Sequence, residues 1–229
     1  MIYSISDLHL DYTKAKTMEL FGNNWDNYEE RIFSNWSDIV KEDDLVLVSG
    51  DISWAMNLKE AYYDLIRIDK LPGKKILLKG NHDYWWDSLN KNNSLDLKSI
   101  FFLQNNHFNF QGVYIVGTRG WENLAEDSEG YKIFRRELLR LKLSLDSVPK
   151  DKQRICMLHY PPFNKEKEPN DFHYVLKEYG IKKCIYGHLH GPGLVNVVEG
   201  FVDGVEYYCT SSDYLNFKPI QIMDEFDFK

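Results

Sequence analysis

The sequence has few cysteines and no long apolar run. Its three cysteines, Cys156, Cys184 and Cys209, are widely spaced and form no CxxC pair, which is typical of reduced core thiols in a cytosolic protein. The longest apolar runs, such as LVLV at 45–48, are far shorter than the ~20 residues needed to span a membrane. The opening MIYSISDLHL lacks the basic and apolar regions of a signal peptide. We therefore expect a cytoplasmic chain without a membrane segment.

Positive charge is also scarce. The chain has 28 Lys and Arg against 35 Asp and Glu, which gives a formal net charge of −7. This balance argues against a surface that binds extended nucleic acid by counterion release. With 229 residues, 43% of them hydrophobic, the chain can bury a large core without disulfides. No repeat or low-complexity linker marks a boundary, so we interpret residues 1–229 as a single domain.

Short apolar runs alternate with stretches of helical periodicity along most of the chain. Strands are predicted at 1–6, 45–48, 75–79, 100–103, 113–116, 154–158, 182–186, 194–198, 205–210 and 219–222. Helices are predicted at 26–40, 57–70, 129–145 and 170–179. After Gly191 the predicted strands follow one another with no helix between them. This order favours an α/β fold in which two sheets pack together with helices on their outer faces.

Five of the predicted strands end in Asp, His or Asn side chains. The polar ends are Asp7-Leu8-His9, Gly50-Asp51, Gly80-Asn81-His82-Asp83, His159 and Gly187-His188-Leu189-His190. Ligands of α/β sheets bind at the carboxyl ends of strands, so these side chains are expected to converge. Residues i and i+2 of an extended segment point the same way, which predicts that Asp7 and His9 face one centre together. The same spacing relates the two histidines of the last motif.

These residue types indicate a metal centre. Imidazole, carboxylate and amide oxygen without thiolate suit Mn, Fe, Zn, Ni or Co. The candidates are too many for one tetrahedral ion and suit two ions bridged by a carboxylate: Asp7, His9, Asp51, Asn81, His159, His188 and His190. Two ions ~3.5–4 Å apart bind the attacking and leaving oxygens of a phosphoryl displacement. Such a centre keeps a net positive charge and attracts phosphate despite the acidic surface.

The series D-x-H, G-D, G-N-H-D, H and G-H-x-H, in this order from Asp7 to Gly191, resembles the calcineurin-like metallophosphoesterases. The resemblance implies a four-layer α/β/β/α sandwich, in which two mixed β-sheets are flanked by helices, and a dinuclear metal centre. It also implies a role for each residue. Asp7, His9 and His190 would bind the first metal, Asn81, His159 and His188 would bind the second, and Asp51 would bridge both. His82 would be a catalytic residue rather than a ligand, stabilising the phosphoryl group and assisting the leaving oxygen.

Several residues near these motifs have two interpretations. Trp54 stands where the phosphoprotein phosphatase branch has an Asp that orients the catalytic His, and whether Asp83 replaces that Asp stays open. Arg119 either binds the substrate phosphate or forms a surface ion pair. Residues 84–86 (YWW) either stack on a substrate or pack at a helix start, with packing favoured. His107 and His173 are interpreted as surface residues.

The sequence thus predicts a phosphohydrolase that cleaves a phosphate mono- or diester. In this hypothesis a hydroxide bridging two divalent metals, with manganese favoured, attacks phosphorus in line. The expected partner is a small phosphorylated substrate, nucleotide-like compounds included, rather than a membrane or extended nucleic acid. The alternatives are a nuclease of the same family and a non-catalytic protein-binding scaffold. The scaffold is disfavoured because neither the ligands nor His82 are missing.

Overall fold

The computed structural model describes residues 1–16, 18–122 and 128–224. Within these ranges the strands are β1 (Ile2–Ser4), β2 (Leu45–Val48), β3 (Lys74–Leu78), β4 (Ile100–Leu103), β5 (Phe108–Phe110), β6 (Val113–Thr118), β7 (Arg154–Leu158), β8 (Lys183–Tyr186), β9 (Gly200–Val202), β10 (Val205–Cys209) and β11 (Ile220–Met223). The helices are α1 (Tyr28–Ile39), α2 (Leu58–Asp69), α3 (Leu89–Asn93), α4 (Glu129–Asp146) and α5 (Asp171–Glu178). Short 3-10 helices span Met18–Phe21, Asn23–Trp25 and Gly191–Asn196.

The described strands form two mixed sheets. The first sheet has the order β11-β1-β2-β3-β4, with β11 antiparallel to β1 and the other neighbours parallel. The second has the order β5-β6-β7-β8-β10-β9, with the outer strands β5 and β9 antiparallel to their neighbours. Strands β6, β7, β8 and β10 run parallel. Both sheets therefore present the carboxyl ends of several neighbouring strands at one edge.

The alternation of side chains along each strand explains the layers. In β2, Leu45 and Leu47 belong to a core cluster that also contains Ile155 and Met157 of β7, so this cluster lies between the sheets. Val46 of the same strand packs instead with the apolar faces of α1 and α2. Helices α4 and α5 cover the outer face of the second sheet in a third cluster. The predicted fold of two mixed sheets flanked by helices is confirmed.

The segment after the last polar motif differs from the prediction. Residues 194–198 were expected to form a strand, but Gly191–Asn196 form a 3-10 helix and the strand follows at Gly200–Val202. The cause is Pro192, which lies in the first turn of that helix, where its fixed φ fits and its missing N–H costs no hydrogen bond. Strand β5 and the short helix α3 were not predicted either.

His173 is also placed differently from the prediction. It was interpreted as a solvated surface residue, but it is fully buried on the inner face of α5. Its Nδ1 atom lies 2.8 Å from the hydroxyl of Tyr207 on β10, a strand that the helix covers. A polar side chain on a helix is expected to face solvent, and only the packing of α5 on the sheet shows that His173 points inward.

None of the helices in the described ranges is long and apolar enough to cross a membrane.

Candidate metal centre

The loops that follow β1, β2, β3, β7 and β8 meet at one edge of the two sheets. The loops after β1 and β2 run side by side, since the Asp7 N–H donates to the Gly50 carbonyl and the His9 N–H to the Asp51 carbonyl, both at 2.9 Å. Across the sandwich, the His188 N–H donates to the carboxylate of Asp7 at 3.0 Å. The predicted convergence of the strand ends is therefore what the structure contains.

Four of the residues at these strand ends have a left-handed rather than an extended backbone. Asp7, His9, Asp51 and His188 have φ values of 57°, 45°, 50° and 73°, all in the left-handed region. The expectation that Asp7 and His9 face one centre through the alternation of an extended segment is therefore wrong in its reason, although both side chains do reach that centre. Left-handed non-glycine residues carry backbone strain that persists where the surrounding structure fixes it, and such residues cluster at functional sites.

Two glycines allow the loops to approach this closely. A Cβ atom on Gly80 would overlap the carboxylate and backbone nitrogen of Asp51, and one on Gly187 would overlap the carboxylate of Asp7. Without these side chains, the loops after β3 and β8 contact the two aspartates directly. The missing side chains at Gly80 and Gly187 thus permit the close backbone approach of the loops.

A first group of possible ligands contains Asp7, His9 and His190, whose ligand atoms all lie within 4.8 Å of one another. Nε2 of His9 and Nε2 of His190 are 3.3 Å apart, and Nε2 of His190 is 3.4 Å from Oδ1 of Asp7. Two imidazole nitrogens and a carboxylate oxygen thus converge on one point. This donor set suits a divalent first-row metal.

A second group lies beside the first and centres on Asn81. Its Oδ1 atom is 2.6 Å from Nε2 of His159 and 2.9 Å from Nδ1 of His188. Nδ1 of His159 lies 2.9 Å from the Ser49 carbonyl, which can only accept, so Nδ1 carries the proton and Nε2 presents its lone pair to the group. In this tautomer Nε2 and the amide oxygen are both acceptors, and a cation between them would satisfy both.

Asp51 links the two groups. Its Oδ2 atom lies 3.8 Å from Nε2 of His9 in the first group and 3.5 Å from Nε2 of His159 in the second. Its other oxygen accepts a hydrogen bond of 2.8 Å from the backbone N–H of His82, which fixes the carboxylate. Asp7 also reaches both groups, since it clusters with Asp51 and His159 as well as with His9 and His190.

The protonation of the centre fits cation binding. Burial lowers the pKa of His159 to about 3, and burial with the neighbouring His159 lowers that of His188 to about 3, so both imidazoles are neutral at pH 7. Burial, followed by the carboxylates of Asp7 and Asp83, raises the pKa of Asp51 well above its ordinary value. Neutral imidazole lone pairs beside the crowded carboxylates of Asp7 and Asp51 are the electrostatic pattern that a divalent ion relieves.

His82 lies beside this centre rather than within the ligand groups. Its ring is half-buried, 4.7 Å from the ring of Trp54 and 5.7 Å from that of His9. Trp54 also stacks on His9, with ring centroids 4.8 Å apart and planes at 25°. Trp54, which stands where the phosphoprotein phosphatase branch has an Asp, thus packs its ring against both His82 and His9.

Asp83 does not orient His82 through its carboxylate. It is fully buried and accepts hydrogen bonds from the backbone N–H groups of Gly80, Ile52 and Ser53 and from the indole of Trp85. These bonds join the loop after β2 to the loop after β3. Asp83 therefore holds in place the backbone that carries Asp51 and Asn81.

The remaining residues that the sequence singled out lie outside the two ligand groups. Arg119 stacks over Trp121 and lies 3.4 Å from Glu137, a buried residue of α4, so its ion pair is internal rather than on the surface. Trp85 and Trp86 are buried in the core, as the packing interpretation predicts, whereas 60% of Tyr84 is exposed 6.4 Å from the ring of His82. His107 is half-buried, with Nδ1 2.8 Å from the hydroxyl of Ser147.

One residue of the centre was missed in the sequence. The carboxylate of Asp213 lies 3.1 Å from Nδ1 of His190 and accepts from the backbone N–H of Gly191. Burial lowers the pKa of His190, but the carboxylates of Asp7 and Asp213 outweigh it and raise that pKa to about 10. Asp213 follows the end of β10, so the rule that located the other polar residues at strand ends would have found it.

Two curated proteins match parts of this chain. An uncharacterized protein, MJ1445, of Methanocaldococcus jannaschii is 29% identical over 85 residues, which are 36% of this chain and 46% of that protein. The Gene 66 protein of Mycobacterium phage L5 is 31% identical over 78 residues, 34% of this chain and 37% of that protein. The chain spans less than half the length of the curated relatives it matches.

A solved structure shares the fold over nearly the whole chain. The phosphopantetheinyl hydrolase PptH of Mycobacterium tuberculosis superposes with a TM-score of 0.58 at 15% identity, covering 98% of this chain and 96% of that one. At this identity the likeness establishes the fold alone.

The family of this chain is established by a family model rather than by these single relatives. A family model described as calcineurin-like phosphoesterase matches residues 1–192. The match includes the five strand ends that build the centre and stops before Asp213. It covers far more than half of the 229 residues. This chain belongs to the calcineurin-like phosphoesterase family.

Proposed function

We propose that this protein is a phosphohydrolase that cleaves a phosphate mono- or diester with two divalent metal ions, manganese favoured. The observation that supports it most is the position of Asp51, whose Oδ2 atom lies between His9 and His159 at 3.8 and 3.5 Å. A carboxylate oxygen placed between two ligand groups suits a bridging ligand. Asp7, His9 and His190 would hold one ion, and Asn81, His159 and His188 the other.

Two such ions would supply a hydroxide nucleophile and neutralise the charge on the phosphoryl group. The protein side chains position them. The neutral imidazoles of His159 and His188 offer lone pairs. The hydrogen bonds that Nδ1 of His159 donates to the Ser49 carbonyl and Nδ1 of His190 donates to the Asp213 carboxylate fix which ring nitrogen faces the centre. The N–H of His82 holds the bridging carboxylate in its orientation.

The His82 side chain would act on the substrate. Burial and the nearby His190 lower the pKa of His82, so its imidazole is neutral at pH 7 and carries one N–H. This N–H can donate to a phosphoryl oxygen and then to the leaving oxygen as charge develops there. Contact with the Trp54 ring restricts the imidazole to the side of the centre.

The surroundings favour a small phosphorylated substrate. A cavity of about 270 Å³ begins at His188 and is walled by Tyr160, Phe163 and Leu189. The ring of Tyr160 lies 4.0 Å from that of His188, next to the second ligand group. A cavity of this size with apolar walls suits the organic part of a small ester, nucleotide-like compounds included. The net charge of −7 disfavours extended nucleic acid.

The cysteines bear on location. Cys156, Cys184 and Cys209 are free and fully buried. Free thiols are typical of a reducing compartment, which supports a cytoplasmic location.

A substrate panel tests the proposal. The purified chain is assayed on a chromogenic monoester, a diester, cyclic nucleotides and single-stranded DNA, each with Mn²⁺ and with EDTA. We expect Mn²⁺-dependent hydrolysis of a small ester and its loss in Asp51→Asn. Hydrolysis of the DNA alone would favour the nuclease. No hydrolysis by the metal-loaded chain would favour the non-catalytic scaffold and contradict the proposal.

A further inference from the structure

A second cavity lies beside the metal centre on the same edge of the sandwich. It has a volume of about 370 Å³ and opens between the ends of β3, β4 and β6 and the side of α4. Lys79, two residues before Asn81, lies on one wall. Arg119 lies on another, and its carbonyl accepts a hydrogen bond of 3.0 Å from the backbone N–H of His159. The cavity therefore borders the backbone segments that carry Asn81 and His159, and none of the candidate metal ligands is among its lining residues.

The lining of this cavity is cationic in an acidic protein. Four cations line it, namely Lys79, Arg119, Arg136 and Arg140. The anions in the lining are Glu137 and Asp87, and Asp87 is already paired with Lys91 at the exposed rim, at 2.8 Å. The rest of the surface must be strongly negative, since the chain as a whole carries −7. An excess of positive charge is thus concentrated at one concave place.

Glu137 cannot satisfy these cations. Its Oε2 atom accepts from the hydroxyl of Thr118 at 2.6 Å, which leaves Oε1 for the arginines. That single oxygen lies 2.7 Å from Arg140, 3.4 Å from Arg119 and 4.0 Å from Arg136. A guanidinium group carries five N–H donors, so most of the donors of the three arginines are not used by Glu137. Glu137 gathers the arginines without neutralising them.

Two of the cations have donors without partners. Within the ranges that the structure describes, Nε of Arg119 is buried and makes no hydrogen bond. Over the same ranges, Lys79 forms no ion pair, although it is half-buried. Buried N–H groups are nearly always paired, so the unpaired Nε–H of Arg119, a residue that lines the cavity, is a donor without its acceptor. Planar guanidinium groups match the geometry of phosphate oxygens in particular.

We propose that this cavity, defined by Lys79, Arg119, Arg136 and Arg140, is a binding site for a phosphate group, separate from the metal centre. Its occupant is either a second phosphate group of the substrate or free phosphate. The site itself follows from the contacts of the cavity. Only the assignment to a substrate rests on the proposed function.

Calorimetric titration of the full chain with inorganic phosphate, in Mn²⁺ and again in EDTA, tests the site. The tested variant is Arg136→Gln/Arg140→Gln, whose side chains are 55% and 40% exposed. The control is Lys132→Gln/Arg135→Gln, which removes the same charge from exposed positions of α4 outside this cavity. We expect phosphate binding to persist in EDTA and to weaken about tenfold or more in the tested variant only.

Absence of binding by the folded chain in EDTA, or equal binding by both variants, would overturn the site. This outcome does not depend on hydrolysis, so it is distinct from a failure of the proposed function.

A second comparison identifies the source of the phosphate. If the site serves the substrate, the tested variant raises KM for a nucleoside bisphosphate and leaves KM for a chromogenic monoester unchanged. If the site binds free phosphate, the tested variant leaves both KM values unchanged. Any change in rate that added phosphate causes in the wild-type protein is then absent from the variant.

Discussion

His82 lies beside the two ligand groups rather than within them, so its proposed catalytic role can be tested apart from metal binding. Its ring contacts Trp54 and His9, and it has no place in either ligand group of the described residues. We expect His82→Ala to lower kcat by about 10²–10³-fold, the usual loss when one donor to developing charge is removed. Metal content, measured by elemental analysis, should stay at the wild-type value. His107→Ala, at a histidine that bonds Ser147 instead, is the control. Loss of metal from His82→Ala would show that the residue is a ligand.

Asp213 acts through His190. Its carboxylate fixes Nδ1 of that ring and so turns Nε2 toward the first ligand group. Removal of such a partner costs about 10–100-fold in metal affinity, which we expect for Asp213→Asn in a competition titration with a chelating dye. Asp38→Asn, at an exposed position of α1, removes the same charge and should bind metal normally. Equal affinities in the two variants would contradict this role.

The buried histidines predict the response of the metal-free protein to acid. His159 and His188 have pKa values of about 3 in the folded chain, against about 6.5 when unfolded. Between these values the unfolded state binds more protons, so the free energy of unfolding falls as pH falls from about 6.5 toward 3. His190, raised to about 10, is protonated in both states over this range and adds no slope. Asp51, whose pKa is raised, opposes the trend.

Urea unfolding in EDTA at several pH values below 6.5 measures this slope. In His188→Asn one buried imidazole is gone, so its slope should be shallower by up to about 1.4 kcal/mol per pH unit. Parallel curves for wild type and variant would show that His188 is not held neutral by burial.

At the scale of elements, the close contact between the loops after β2 and β3 depends on the absence of a side chain at Gly80. A methyl group at Gly80 would overlap Asp51, so Gly80→Ala must push apart the loops after β2 and β3. Overpacking of this kind costs about 1–3 kcal/mol in the free energy of unfolding, and displacement of Asp51 should abolish metal binding as well. Gly193→Ala, where the nearest side-chain atom lies 3.9 Å away, is the control for thermal unfolding and metal analysis. Retention of metal by Gly80→Ala would contradict the contact.

Much of this arrangement could be predicted because strands and their polar ends are local. LVLV at 45–48 is apolar on both sides because β2 is covered on both faces, and Gly50-Asp51 follows it after a single serine. What could not be predicted depends on contacts distant in sequence. The left-handed backbone of Asp7 is fixed by hydrogen-bond partners from other loops. The ion-pair partner of Arg119 is Glu137, which lies on α4. No spacing rule contains that information.

At the scale of the whole molecule, the two sheets bring together residues that lie as far apart in the chain as Asp7 and His190. The core needs no metal to form, since apolar clusters fill the space between the sheets and under both helical layers. The acidic chain concentrates positive charge at this edge, in the cavity beside the centre and in any ions the centre holds. An anionic substrate would therefore be attracted to this edge and repelled elsewhere.

The number of metal ions per chain tests this account most directly. The full chain is saturated with Mn²⁺, freed of unbound metal by gel filtration, and measured by elemental analysis against protein concentration, beside Asp51→Asn. Because Asp51 lies between both ligand groups, we predict two ions per wild-type chain and a loss of metal from the variant. One ion or none in the saturated wild-type chain, or two in Asp51→Asn, would contradict the account.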